Sequence, residues 1–414
     1  MNMRTVGIVA EYNPFHNGHA YQIKAAKEMT GADYCIVVMS GDFVQRGAPA
    51  IMDKYSRAQS ALENGADLVV ELPVYYAVSS AEYFASGAIA LLDKLGVTDA
   101  LCFGSECGDI KVLSSIADEL LDETPQFKQI LKQQMKTGSS YPQARNHALS
   151  VTAPWLTGAI GVLQSPNNIL GLEYIKAVKR RQSRIQPYTL NRLGAGYHAA
   201  SLETTNSSAL AIRESISRTK DISYIKEQVP SGVYDAMAQD YGHTFPILPN
   251  DVSALLFYKL LLEQEQGYIS YLDIDAPFSD RLTRKLSSYT DYTSFCEQLK
   301  TKNMTYTRVA RNLLHILLNI YQEDMDISRK DDYVYYAKML GFKKEAEPLL
   351  SAVKEHSEIP LLSKLADADD IIASSNGRKL LAADIRAAHI YSLLMQQKFG
   401  GPIQNEYRRQ IVVM

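Results

Sequence analysis

Two histidines, His16 and His19, lie three residues apart where a short apolar run gives way to a helical pattern. Imidazole N–H groups donate hydrogen bonds to phosphate oxygens. Pro14 ends the extended run before them, and Gly18 removes a Cβ from the backbone between them. The first turn of a helix adds unpaired N–H groups and a partial positive charge. The segment from Gly7 to His19 is therefore predicted to bind a phosphate group.

These side chains need a strand before them and a helix after them, and the first half of the chain supplies that alternation. Apolar runs predicted to be buried strands occupy residues 5–10, 34–39, 67–71 and 100–103, with helical segments between them. Such alternation is typical of βαβ units and a parallel sheet. We expect an α/β fold with a Rossmann-like parallel sheet, in which ligands bind beyond the carboxyl ends of the strands.

A change of pattern near residue 245 predicts the domain organisation. Residues 242–249 contain two prolines and show no clear period, and the segments beyond them have mainly helical patterns. Prolines in a segment without periodicity are typical of a connection between folded units. We therefore expect a catalytic domain over residues 1–245 and a mostly helical domain over residues 246–414.

The composition limits the class of protein. The 414 residues are 46% hydrophobic and 21% charged, which excludes a disordered chain. The formal net charge of -3 provides no overall positive field, so contact with nucleic acid depends on local basic patches. Four cysteines without a C-x-x-C pair predict neither a disulfide framework nor a zinc site, and we expect no metal held by the protein alone. No apolar run approaches the ~18 residues of a membrane span, which predicts a cytoplasmic protein without a membrane partner.

Several motifs resemble those of a known family. The residues HNGH at 16–19 resemble the H-x-G-H signature of nucleotidyltransferases and class I aminoacyl-tRNA synthetases. The longer set of EYNPFHNGH, SGDFVQRG, FGSE, SPNN and NRLG, beginning at residues 11, 40, 103, 165 and 191, resembles the bacterial tRNA(Met) cytidine acetate ligase family. The resemblance extends over the whole chain.

The resemblance implies a nucleotidyltransferase-like domain joined to a mostly helical part that binds tRNA. It implies that ATP, accompanied by Mg²⁺, activates acetate as acetyl-adenylate. The acetyl group then passes to N4 of the wobble cytidine of elongator tRNA(Met). Acetate and this tRNA are the implied partners, and no stable protein partner is expected.

The resemblance also implies roles for individual residues. His16, His19 and Arg192 are the implied catalytic residues, with Arg192 near the charge of the α-phosphate. The implied ATP-binding residues are Gly7, Ile8, Val9, Ala10, Glu11, Tyr12, Asn13, Pro14, Phe15, His16, Asn17, Gly18, His19, Gly104, Asn168, Arg192, Ser207, Ser208 and Arg213. The last three resemble a helix start that clamps the β- and γ-phosphates in relatives.

The loop after the second predicted strand lies at the same edge of the sheet. Asp42, Gln45 and Arg46 are therefore candidate contacts for acetate or cytidine, and a plain surface turn is the alternative. For the nearby Lys54 and Arg57 we favour a solvated helix face.

Two windows of the chain, residues 174–202 and 298–322, contain no Asp or Glu. Basic windows of this kind favour contact with the phosphate backbone of RNA, and a solvated helix face is the alternative for each. The candidate tRNA-binding residues are Lys176, Lys179, Arg180, Arg181, Lys300, Lys302, Arg308 and Arg311.

Two other functions stay open on the residues alone. One is an adenylyltransferase acting on a small phosphorylated cofactor precursor, but the roughly 170 residues after Leu248 exceed what it needs. The other is a non-catalytic RNA-binding protein with a remnant nucleotide site. It predicts loss of His16, Gly18 or His19, and all three are present.

Overall fold

The computed structural model describes residues 3–191 and 207–414, and its centre is a sheet of eight strands. The strands of this sheet are β1 (Thr5–Ala10), β2 (Tyr34–Ser40), β5 (Leu68–Leu72), β6 (Ala100–Ser105), β7 (Gln186–Asn191), β8 (Ala337–Phe342), β9 (Leu361–Leu362) and β10 (Val412–Val413). The strands β3 (Phe43–Val44) and β4 (Ala48–Pro49) form a separate antiparallel pair. The order in the large sheet is β10-β8-β5-β2-β1-β6-β7, and β9 pairs with β8.

The five strands from the first half of the chain are mutually parallel, as the alternating pattern predicts. In β2, Ile36 and Val38 belong to the core on one face of the sheet, and Cys35, Val37 and Met39 belong to the core on the other. Both faces are covered, so every residue of these strands can be apolar. The Rossmann-like parallel sheet predicted from the sequence is confirmed.

Helices cover both faces of the sheet. Those of the first half are α1 (Asn17–Thr30), α2 (Lys54–Glu63), α3 (Val74–Ala77), α4 (Ala81–Lys94), α5 (Ile110–Leu121), α6 (Pro125–Lys136), α7 (Tyr141–Thr152), α8 (Pro166–Arg180), α9 (Ala209–Thr219) and α10 (Ser231–Asp240). Those of the second half are α11 (Ser253–Glu263), α12 (Ala276–Lys285), α13 (Tyr292–Leu299), α14 (Tyr306–Leu318), α15 (Gln322–Lys330), α16 (Glu347–His356), α17 (Ala368–Ile371) and α18 (Ser375–Phe399). None of the helices in the described ranges is long and apolar enough to cross a membrane.

The second half of the chain is mostly helical, but it also extends the sheet. β8 pairs with β5 in antiparallel orientation, and β9 and β10 flank β8. One hydrophobic core includes residues of β2 and α4 together with residues of α11, α14 and α18. The boundary at residue 245 stays a prediction, and both the sheet and this core cross it.

Candidate active site

A cavity of about 570 Å³ lies at the carboxyl ends of the central strands. From β1 the chain adds β2 and β5 on one side of the sheet and then returns to add β6 on the other side of β1. The strand order therefore reverses direction at β1. In open parallel sheets, ligands bind at such a switch point. The last residues of β1, residues near the end of β6, and residues that follow β1 and β2 line the cavity, together with residues of α8, α9 and the first turn of α14.

His16 and His19 line this cavity and form the start of α1. His16 is the N-cap residue, and its Nδ1 accepts a hydrogen bond from Gly18 N at 3.1 Å. The Nδ1 of His19 accepts from the backbone N–H of His16 at 3.3 Å. The two rings stack with their centroids 3.7 Å apart. A neutral imidazole that accepts at Nδ1 carries its proton on Nε2, so the assigned hydrogen bonds place the proton of each ring on Nε2.

The turn between β1 and α1 is held in an unusual conformation. Tyr12 is buried with φ of +47°, in the left-handed region that non-glycine residues seldom adopt. The guanidinium of Arg57 binds the carbonyl oxygens of Glu11 at 2.6 Å and Ser40 at 3.1 Å. Asn13 Oδ1 accepts from the backbone N–H of Ile51 at 2.7 Å. The turn after β1 and the loop after β2 are therefore tied together by buried hydrogen bonds.

The loop after β2 places Gln45 and Arg46 on the cavity wall. The backbone N–H of Gln45 donates to the Glu11 carboxylate at 2.8 Å. Its side-chain Nε2 is buried and has no hydrogen-bond partner in the described part of the chain. Because a buried donor without a partner is costly, this amide points to a ligand in the cavity.

The start of α9 forms another part of the wall. Ser208 is the N-cap residue, and its Oγ accepts from Ala211 N at 3.2 Å. Arg213 donates to the carbonyl oxygen of Asn13 and also lines the cavity. Burial lowers the pKa of Arg213, and Glu11 opposes that shift. The helix start and the arginine are suited to an anion.

Comparison with known proteins gives the family. A family model described as HIGH Nucleotidyl Transferase matches residues 3–405. Proteins named tRNA(Met) cytidine acetate ligase from Acetivibrio thermocellus and Halothermothrix orenii are 36% and 37% identical to this chain, over 100% and 95% of both lengths. The chain belongs to the tRNA(Met) cytidine acetate ligase family. It is therefore an enzyme of the ligase class.

Solved structures of this ligase family agree with the fold. The crystal structure of Thermotoga maritima TmcAL in its apo form superposes with a TM-score of 0.93, at 28% identity, and covers 100% of both chains. A structure of the same protein bound with alpha-thio ATP gives a TM-score of 0.91, at 28% identity, over 99% of this chain and 100% of that one.

The cavity brings together many of the residues that the ligase family resemblance assigns to ATP. Those that line it are Val9, Ala10, Glu11, Tyr12, Asn13, His16, His19, Gly104, Ser208 and Arg213. The others described do not line it: Gly7, Ile8, Pro14, Phe15, Asn17, Gly18, Asn168 and Ser207. Arg192 lies outside the described residues.

Some of the residues off the cavity wall have structural contacts instead. Asn168 is buried, accepts from Cys107 N at 2.9 Å and donates to the carbonyl of Val162 at 3.0 Å, and its neighbour Asn167 lines the cavity. A Cβ on Gly18 would lie 3.0 Å from the His16 ring. Because glycine has no Cβ, the imidazole of His16 can pack closely against the backbone there.

Asp42 is displaced from the cavity, which corrects the expectation that its side chain contacts substrate. It belongs to a buried ion cluster of Asp42, Lys54, Glu71, Lys338 and Glu406. Its Oδ1 accepts from Lys54 N at 2.9 Å. Burial raises the pKa of Asp42 to about 6. The carboxylate therefore holds the start of α2 rather than a ligand.

The expected solvated face of α2 is also wrong. Lys54 and Arg57 each have only 1% of their surface exposed. Lys54 pairs with the carboxylates of the buried ion cluster, and Arg57 binds backbone carbonyls beside the cavity. A lone basic residue on a helix gives no signal of such burial, because its partners come from distant parts of the chain.

The first group of predicted RNA-binding residues has carboxylate partners. Lys176 is buried against Glu173, with Nζ 2.8 Å from the carboxylate. Lys179, Arg180 and Arg181 pair with acidic residues of other elements. The window itself contains no Asp or Glu, but the fold brings acidic residues from outside it to these four side chains. Their ion pairs count against RNA binding at this place, and that role stays a prediction.

The second group differs. Lys300 pairs with Glu297 at 2.6 Å, and Lys302 is exposed. Arg308 and Arg311 make no ion pair with any carboxylate in residues 3–191 and 207–414. Tyr306, which the sequence did not single out among 26 tyrosines, begins the same helix and lines the cavity.

Proposed function

We propose that the protein activates acetate with ATP as acetyl-adenylate and transfers the acetyl group to N4 of the wobble cytidine of elongator tRNA(Met). The proposal rests on one cavity whose wall includes the stacked imidazoles of His16 and His19 together with Gln45 and Arg46. The names of the relatives support the choice of acetate and tRNA(Met), and the Thermotoga structure bound with alpha-thio ATP supports ATP.

The first step makes a mixed anhydride. A carboxylate oxygen of acetate attacks the α-phosphorus of ATP, the bond to the β-phosphate oxygen breaks, and pyrophosphate leaves. Negative charge spreads over the equatorial oxygens and the leaving group. The imidazoles of His16 and His19 would donate to that charge, and one such donor typically contributes ~3 kcal/mol. The backbone N–H groups of the first turn of α1 are hydrogen-bonded within the protein, so this helix start would contribute through its dipole.

Positive groups are proposed for each part of the triphosphate. Arg213 and the capped start of α9 at Ser208 would hold the β- and γ-phosphates. Arg192 would stabilise charge at the α-phosphate. Acetate would lie against the Gln45 amide, whose buried Nε2 can donate to its carboxylate, with the Arg46 guanidinium as its counter-charge.

The second step uses the anhydride directly. The N4 amine of cytosine is a weak nucleophile because its lone pair is delocalised into the ring. N4 attacks the acetyl carbon, the bond between that carbon and the phosphate oxygen breaks, AMP leaves, and N4 loses a proton. None of the four cysteines lines the cavity, and burial raises the pKa of Cys102 and of Cys296 to about 12. An acyl-cysteine intermediate is therefore not proposed.

Mg²⁺ is proposed to accompany ATP. Within the described ranges, no three His, Cys, Asp or Glu side chains are grouped so that they could hold a metal ion. Phosphate oxygens and water would therefore supply most of its ligands. A cytoplasmic location and the absence of a stable protein partner stay predictions.

One experiment tests the proposal. The protein is incubated with labelled acetate, ATP and total tRNA, and the RNA is digested to nucleosides. Label in N4-acetylcytidine is expected, and none is expected without ATP. Pyrophosphate release that depends on a small phosphorylated acceptor, with no label in RNA, would favour the adenylyltransferase. RNA binding with neither reaction would favour the non-catalytic RNA-binding protein.

A further inference from the structure

A loop of the first half and a helix of the second half meet beside the cavity. Gly47 has φ of +75°, and a Cβ there would lie 2.6 Å from main-chain atoms of Ala310 and Arg311. The hydroxyl of Tyr292 contacts the carbonyl oxygens of both Gly47 and Ala310. The loop that carries Arg46 therefore packs directly on the backbone of α14.

The first turn of α14 faces the same space as this loop. Tyr306 and Thr307 line the cavity together with Arg46. Thr305 caps the helix, and no acidic residue occupies its first turn. The positive end of the helix dipole therefore lies at the cavity wall.

Positive charge accumulates at this contact. Arg308 and Arg311 follow on α14. The pKa of Arg311 is lowered to about 10, mainly by burial; Asp273 opposes the shift, and the nearby Arg308 and Arg46 add to it. Glu11 is the acidic neighbour of Arg46.

Arg311 has a donor that its surroundings do not use. Its Nε is buried and has no hydrogen-bond partner within the described part of the chain. Leaving a buried donor unpaired costs ~1–3 kcal/mol, and bringing like charges together adds to that cost. An anion that accepts from this nitrogen would offset both.

We propose that Arg308 and Arg311 form one phosphodiester-binding site for the RNA strand that carries the reacting nucleotide. This inference rests on the proposed function, from which it takes the RNA substrate. Phosphodiester groups accept bidentate hydrogen bonds from guanidinium groups. The contact between Gly47 and α14 sets this site next to the catalytic cavity, so a phosphate held here leaves its base within reach of that cavity.

Binding of RNA to the full-length Arg311→Gln variant tests the site. The dissociation constant for an unmodified tRNA(Met) transcript is measured over a range of salt concentrations. It is expected to rise about tenfold, and the slope of log affinity against log salt should fall by about 0.7–0.9, the value for one lost phosphate contact. Arg329→Gln is the matched control, because Arg329 is exposed on α15 and away from the cavity. Arg308→Gln serves as a second variant if Arg311→Gln does not fold.

An RNA change identifies the partner of the guanidinium. An anticodon stem-loop with a neutral methylphosphonate beside the target cytidine should bind the wild-type protein more weakly. At one of the two flanking phosphates, the methylphosphonate removes the group that Arg311 binds. The Arg311→Gln variant should therefore bind that modified RNA no more weakly than the wild-type protein does. Additive losses at both phosphates would overturn the proposal.

Two other results would also overturn it. Equal weakening by Arg180→Gln would place the RNA at the other basic window. A larger loss in acetate-dependent ATP–pyrophosphate exchange than in RNA affinity would assign Arg311 to the triphosphate. Failure of the proposed function is a separate result, because it would show as no N4-acetylcytidine from the wild-type protein at any RNA affinity.

Discussion

The Lys54→Met substitution is expected to lower the free energy of unfolding by about 3–5 kcal/mol. The Nζ atom of Lys54 lies 2.6 Å from Glu406, 3.1 Å from Glu71 and 3.5 Å from Asp42. Lys338 supplies the second ammonium group, 2.8 Å from Glu71 and 2.7 Å from Glu406. The substitution leaves three buried carboxylates with one ammonium group. The cost is high because the remaining charges stay out of water after their partner is removed.

The pH dependence of this loss identifies the carboxylates as its cause. In the intact protein, burial raises the pKa of Asp42 to about 6, although Lys54 opposes that shift. Without Lys54 this pKa rises further above the ~3.9 of an unfolded Asp. The folded variant therefore binds a proton that the unfolded chain releases. Part of the lost stability should return as the pH falls from about 7 to about 5.

Urea-induced unfolding, followed by circular dichroism at both pH values, measures the effect. Lys24→Met is the surface control, because Lys24 is exposed and its Nζ lies 3.9 Å from Glu28, and its loss should stay below about 1 kcal/mol. Adding Glu406→Gln to Lys54→Met restores the net charge of the cluster and should recover part of the stability. A loss from Lys54→Met as small as that of the surface control, or one that grows as the pH falls, would refute the reasoning.

Three further substitutions test the cavity. His19→Ala should slow acetate-dependent ATP–pyrophosphate exchange by about 10²-fold or more, whereas His243→Ala, outside the cavity, should not. An exchange rate of the His19→Ala variant within tenfold of wild type would contradict the role of His19. Gln45→Ala should raise the KM for acetate by up to about tenfold, because it removes the buried Nε2 donor, and a change confined to the KM for ATP would argue against this contact. Gly47→Ala should lower the thermal unfolding midpoint, because its φ is +75° and its Cβ would lie 2.6 Å from α14; an unchanged midpoint would contradict that packing.

Much of the fold around the cavity follows from local pattern. Apolar runs predict the strands that became β1, β2, β5 and β6, since a strand covered on both faces needs no polar residues. The strands β8, β9 and β10 were harder to predict as members of the same sheet. Nothing local in the sequence indicates that Ala337–Phe342 pairs with β5 or that Leu361–Leu362 pairs with β8.

By itself the sequence determined the start of α1. The caps that use His16, Gly18 and His19 involve residues within three positions of one another, so their types and spacing alone indicate the turn. The family motifs likewise predict the ATP site. Of the segment from Gly7 to His19, one cavity is lined by Val9, Ala10, Glu11, Tyr12, Asn13, His16 and His19.

Only the tertiary structure decided which charges are compensated. Lys54 is buried because Glu406, from the end of the chain, meets it, and Arg180 is paired because Glu82 of α4 lies beside it. Arg311, in a window equally free of acids, has no such partner in the described chain and lies against the loop of Gly47. The periodicity of a helix shows which face it turns inward, but the group that covers that face comes from a distant segment of the chain. The Coulomb energy of a charged side chain depends on its distance in space from that group, which the local sequence does not show.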